Sequence, residues 1–255
     1  TCIGCEACVS ACPYGALDMV EGVAAVDERC TACSACLEVC PVGALSLPEA
    51  QSAPADDDLD AYRGVWVWVE QFEGRACDIS WEMMGQGRRL ADTLGVSLTA
   101  CVLGHRMDAV AEEAIAYGAD RVFLADHPTL ATFRTEPYSR ILVDLVREHR
   151  PEVFLLGASS RGRDLAGSVA TPLHTGLTAD CTGLEIDTYQ RLLVQTRPAY
   201  GGNIMATIVT PHHRPQMATV RHHVFEAPAP DPARRGQIVT VPVAYDEAEM
   251  VTRVV

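Results

Sequence analysis

The chain has 255 residues, 48% of them hydrophobic, which is enough for a small module and one ordinary domain with a core of its own. Its formal charge of −14 excludes nucleic acid as a partner, and the lack of any long apolar span or signal peptide excludes membrane insertion. All 20 basic residues are arginine, so chemistry that needs a Walker lysine, a Schiff-base lysine or a lysine general base is also excluded.

Two cysteine runs open the chain: Cys2-x2-Cys5-x2-Cys8-x3-Cys12-Pro13 and Cys30-x2-Cys33-x2-Cys36-x3-Cys40-Pro41. Their spacing is that of a bacterial ferredoxin with two [4Fe–4S] clusters, in which three thiolates of one run and the last thiolate of the other hold each cluster. One cluster is assigned to Cys2, Cys5, Cys8 and Cys40, the other to Cys30, Cys33, Cys36 and Cys12. The alternatives are structural zinc, which needs only four ligands with a longer spacer between pairs, and a disulfide framework, which needs an oxidising compartment. A third cysteine in each run and a proline after each fourth argue against both. Gly15-Ala16-Leu17 is echoed by Gly43-Ala44-Leu45, so a pseudo-twofold, ferredoxin-like domain is expected over residues 1–47, with metal making up for its small core. Such a domain moves single electrons, and thiols that must stay reduced point to the cytoplasm of an anaerobe. Eleven acids against two arginines in residues 1–63 either steer a positively patched redox partner or are merely solvated. The chain starts at Thr1, one residue before the first expected ligand, and reads as a fragment.

Residues 48–63 mix proline, alanine and an aspartate run without apolar periodicity and read as a solvated linker. From residue 64 strands and helices alternate. Val65-Trp66-Val67-Trp68-Val69 suits a central parallel strand, and Ile79, Met83, Met84, Gly87, Leu90, Ala91 and Leu94 recur at helical spacing, with Ser80 as cap and Gly95 as stop. Strands at 98–103, 122–125 and 153–156 then alternate with helices over 109–117, over 138–150 and from Arg161, the last cut short or kinked by Pro172. This alternation predicts right-handed βαβ crossovers and a Rossmann-like, mostly parallel, doubly wound α/β sheet. After Gly176 the pattern shortens to hairpin-like strands around 184–186, 192–196, 204–209 and 217–220, followed by a proline-rich connector over 227–236 and a last strand over 237–243. Cys77, Cys101 and Cys181 stand alone and read as buried small apolar residues.

Five segments of this second domain, in order, resemble the N-terminal domain of the electron-transfer flavoprotein α subunit: Val69-Glu70-Gln71, GASSRGRDLA at 157–166, GLTADCTGL at 176–184, RPAYGGN at 197–203 and RPQMATVR at 214–221. The resemblance covers residues 64–255, and the ferredoxin-like domain is similar to an extension that some bifurcating members carry. It implies a heterodimer with a β subunit, an FAD in a C-terminal α domain, and a second FAD in the β subunit of bifurcating members. It further implies a flavin-dependent dehydrogenase of the acyl-CoA or hydroxy-acid type and a ferredoxin as redox partners. The C-terminal FAD domain falls outside these 255 residues, so no flavin-binding or catalytic residue is assigned here.

The loop from Ser159 to Asp164 follows a strand and enters a helix, the geometry that cradles phosphates. It lacks a G-x-G-x-x-G or Walker pattern, which favours a capped helix whose Arg161 and Arg163 make ion pairs. His212-His213 and His222-His223 read as exposed strand ends rather than metal ligands. The function expected is single-electron relay between flavin and ferredoxin in a bifurcating or confurcating complex. The alternatives are a non-catalytic electron wire or docking subunit, and a nucleotide-binding enzyme with an attached ferredoxin.

Overall fold

The computed structural model describes residues 2–27, 29, 30, 33–46, 58–244, 250 and 252. They divide into two compact units, with the boundary between residues 54 and 55. Unit one holds helix α1 (Ala7–Ala11), the antiparallel hairpin β1 (Leu17–Val20) and β2 (Val23–Val26), and helix α2 (Ala35–Glu38). Its only buried apolar side chains among the described residues are Cys8, Ala16 and Leu17. So small a core cannot hold such a unit together by itself.

Unit two is an α/β domain. Its elements run β3 (Val65–Val69), the short hairpin β4 (Gln71–Phe72) and β5 (Arg75–Ala76), α3 (Asp78–Leu94), β6 (Leu98–Gly104), α4 (Asp108–Ala116), β7 (Arg121–Asp126), α5 (Thr135–His149), β8 (Val153–Gly157) and α6 (Ser160–Ala170). They continue with β9 (Leu177–Cys181), β10 (Gly183–Asp187), β11 (Leu192–Ala199), β12 (Ile204–Ile208), β13 (Gln216–Val220) and β14 (Gln237–Thr240). The main sheet has seven strands in the order β14-β7-β6-β3-β8-β13-β9, every neighbouring pair parallel. From β3 the chain winds outward through β6 and β7, then returns to the other side of β3 through β8, which is double winding.

The alternation within β3 sets the two layers. Val65, Val67 and Val69 face a core with Met83, Met84 and Leu90 of α3 and Val110 and Ala114 of α4. Trp66 and Trp68 face the opposite core, with Tyr138 and Leu142 of α5 and Leu165 and Val169 of α6. A strand buried on both faces is what a parallel sheet covered by helices requires.

Several elements differ from the sequence reading. Residues 216–220 form no hairpin: β13 is fully buried and inserts between β8 and β9 as a parallel strand. Residues 177–181, read as part of the change of character after Gly176, are the edge strand β9. Only β10, β11 and β12 form an antiparallel meander. Helix α3 is capped at Cys77 rather than Ser80, whose hydroxyl instead donates to the Glu70 carbonyl at 3.1 Å. Gly95 does end α3 in the left-handed conformation, and α6 stops at Ala170, two residues before Pro172. Of the stretch read as linker, residues 48–57 lie outside the described residues. Leu59–Ala61 forms a short 3-10 turn, Tyr62 is buried, and the Arg63 N–H donates to the Arg150 carbonyl at 2.9 Å. No helix among the described residues is long and apolar enough to cross a membrane.

Candidate functional site

Unit one brings its eight clustered thiols together in two groups. Cys2, Cys5, Cys8 and Cys40 line one cavity, and Cys12, Cys30, Cys33 and Cys36 line a second. Each cavity thus takes three cysteines from one run and the fourth from the other.

The local backbone repeats as the sequence does. Each short helix is entered by a left-handed residue, Glu6 at φ 60° and Ser34 at φ 67°, which turns the chain around the thiols. After the fourth cysteine of each run the loop curls back, so that the Ala16 N–H donates to Cys12 Sγ at 3.3 Å and the Ala44 N–H to Cys40 Sγ at 3.2 Å. Gly15 at φ 59° and Gly43 at φ 56° make that curl possible. Backbone N–H groups of Ala16 and Tyr14 hold the Cys12 thiol below its ordinary value, and those of Ala44 and Val42 do the same for Cys40. Those of Gly4 and Ala24 lower Cys2. At these three positions the thiolate, the form that binds metal, is favoured, whereas burial pushes the Cys36 thiol up.

Among the described residues no three His, Cys, Asp or Glu side chains converge as they would on a single ion. The thiols ring a space instead, and soft sulfur donors around a space suit an iron–sulfur cluster better than one zinc ion.

The three remaining cysteines belong to unit two. Cys101 and Cys181 are fully buried, and burial pushes the Cys181 thiol up to about 12. Cys77 departs from the expectation, being only half-buried at the start of α3.

At the carboxyl ends of β3 and β8, where doubly wound sheets receive ligands, the crevice is occupied by the protein itself. Ser159 Oγ caps α6 by accepting from the Gly162 N–H at 2.9 Å. Arg161 donates to the Gln71 carbonyl at 3.0 Å and lies over the ring of Phe72 at 4.9 Å. Arg163 pairs with Asp180 at 3.6 Å, and Asp164 accepts from the Thr135 hydroxyl. The Glu70 carboxylate is buried beside this loop with one oxygen lacking a partner. A phosphate here would lose its donors to existing contacts and meet a buried acid, so these residues do not fit a nucleotide or a flavin pyrophosphate. His212, His222 and His223 are exposed, and the His223 N–H donates to Glu82 at 2.8 Å.

The two units thus define a class of protein in which a thiol-rich module precedes a doubly wound parallel sheet. The chain belongs to the electron transfer flavoprotein family: the electron transfer flavoprotein domain model matches residues 65–246, and a 4Fe-4S dicluster domain model matches residues 1–44. Among its relatives is the electron transfer flavoprotein subunit alpha of Megasphaera elsdenii, 46% identical over 198 residues, covering 78% of this chain and 59% of the relative. Protein FixB of Azorhizobium caulinodans is 48% identical over 197 residues, covering 76% of this chain and 53% of the relative. The subunit alpha of Clostridium acetobutylicum is 50% identical over 165 residues, covering 65% of this chain and 49% of the relative. The chain therefore spans about half the length of the relatives it matches.

The strands of the antiparallel meander were read in the sequence as hairpin-like, and β10, β11 and β12 do pair with their chain neighbours, whereas the burial of Glu70 had no clear signal there.

Proposed function

We propose that this chain is the electron-carrying part of an electron-transfer flavoprotein α subunit, in which unit one relays single electrons between flavin and a ferredoxin. The observation that carries the reading is the gathering of eight thiols into two groups of four, with backbone N–H groups on the sulfurs of Cys12 and Cys40. Cys2, Cys5, Cys8 and Cys40 would hold one [4Fe–4S] cluster, and Cys12, Cys30, Cys33 and Cys36 the other. Bound there, the clusters supply one-electron donor and acceptor sites. The chain's own residues stabilise the thiolates, shield part of each cavity and present Cys5, Cys30 and Cys33 to solvent.

FAD belongs to a β subunit and to a C-terminal α domain beyond these residues, since the crevice of unit two does not fit it. The β subunit docks on unit two at the outer strand β12, whose Ile204, Met205 and Ile208 side chains are exposed. A flavin dehydrogenase of the acyl-CoA or hydroxy-acid type completes a bifurcating or confurcating complex in the cytoplasm.

The test is anaerobic co-expression with a β subunit. Flavin should appear only in the co-purified pair, and reducing that flavin should bleach the iron–sulfur absorption of this chain. Met205→Asp should abolish co-purification while leaving iron content unchanged. Flavin retained by this chain alone, or a flavin that never exchanges electrons with unit one, would overturn the reading.

A further inference from the structure

The two thiol-lined cavities come from one repeated pattern, so their differences can be read position by position. Glu6 and Ser34 are equivalents, each directly after the second cysteine of its run and in the same left-handed backbone conformation. Glu6 lines the cavity of Cys2, Cys5, Cys8 and Cys40, and among the described residues it is the one lining side chain, apart from the thiols, with a formal charge. Ser34 lines the other cavity.

A second difference lies behind the fourth cysteines. Arg29 holds Asp27 through Nε and Nη2, at 2.9 and 2.5 Å. Its Nη1 lies 3.8 Å from where a Cβ would stand on Gly15, in the loop that follows Cys12. The equivalent Gly43, after Cys40, has nothing within 4 Å among the described residues.

We infer that the two cavities are electrostatically inequivalent, so that an electron is held more favourably at Cys12, Cys30, Cys33 and Cys36 than at Cys2, Cys5, Cys8 and Cys40. The inference rests on the two-cluster reading above. An arriving electron adds one negative charge. The Glu6 carboxylate opposes that charge at the first cavity, whereas the Ser34 hydroxyl does not at the second. At the second cavity Arg29 is paired with Asp27, so these two charges offset one another and leave no unpaired carboxylate to oppose the electron. The Glu6 carboxylate therefore sets the direction of the difference. Glu6 is exposed, so its effect is largest at low ionic strength and fades as salt screens it.

The test is a reductive titration of the full chain, purified anaerobically, followed by electron paramagnetic resonance, with iron and acid-labile sulfide measured on the same samples. Two steps are expected. Glu6→Gln should raise the lower step and leave the upper one in place, Ser34→Glu should lower the upper step, and both shifts should shrink at high salt. Should Glu6→Gln lose iron, Arg29→Gln replaces it and should lower the upper step. Full iron, about eight atoms per chain, with Ser34→Glu leaving both steps unmoved or Glu6→Gln shifting the upper one, overturns this inference alone. A chain with about four iron atoms or none overturns the two-cluster reading, and this inference with it.

Discussion

Gly162 stands where a Cβ would lie 1.9 Å from the Gly157 carbonyl oxygen, so the first turn of α6 rides directly on the end of β8. Gly162→Ala must push that turn away and should cost roughly 1–3 kcal/mol. Urea unfolding of unit two, followed by tryptophan fluorescence, should show the loss with iron content unchanged. An unaltered midpoint would mean that the contact is easily relieved. At this scale sequence legibility depends on how local the partner is. Gly95 could be read as a stop because a left-handed residue after a helix favours glycine on its own account. Ser80 could not be read correctly, because its hydroxyl serves the carbonyl of Glu70, brought to it by the β4–β5 hairpin. Glu152, which accepts from Arg191 at 3.0 and 2.7 Å, likewise has a partner no local pattern points to.

The chain between β13 and β14 is tied down at one carboxylate. Asp120 accepts from Arg234 at 2.7 Å, from Arg88 at 2.7 Å and from the Leu98 N–H at 2.8 Å. The Asp231 N–H is bound to the Ala116 carbonyl at 2.9 Å, and Pro228 packs against Gly85 so closely that an added Cβ would stand 2.8 Å from its ring. Burial alone would push the Asp120 carboxyl up, but the Leu98 N–H and the guanidinium of Arg88 outweigh it and hold the group below its ordinary 3.8. A depressed carboxylate stabilises the fold fully above its ordinary value, and the contribution is lost as pH falls through the lower folded value. Asp120→Asn should therefore be less stable than the parent at pH 7, and the two should converge as pH drops below 3.8. A gap that stays constant down to acid pH would rule out Asp120 as the tie. Strands β3, β6, β7 and β8 were legible because each alternates with a helix that has its own periodicity. The placement of β13 between β8 and β9 was not, because a five-residue strand carries no record of which neighbour it joins.

At the scale of the molecule, the two units depend on different forces. Unit two buries a two-layered apolar core, whereas unit one buries three apolar side chains among its described residues. Chelation with oxidation should unfold unit one and leave unit two intact. All three tryptophans lie in unit two, so their unfolding transition should stay in place while circular dichroism from residues 2–46 is lost. A joint loss would show that the units share their stability. The grouping of thiols across the two runs was legible because the spacing within each run leaves its fourth cysteine free to reach the other. The central claim is that the two groups of thiols each carry a cluster, and the most direct measurement is iron and acid-labile sulfide in the anaerobically purified chain and in Cys40→Ala. The account predicts about eight of each in the parent. In the variant, the loss should be confined to the cluster shared by Cys2, Cys5 and Cys8. Zinc in place of iron, or a loss confined to the cluster of Cys30, Cys33 and Cys36, would contradict it.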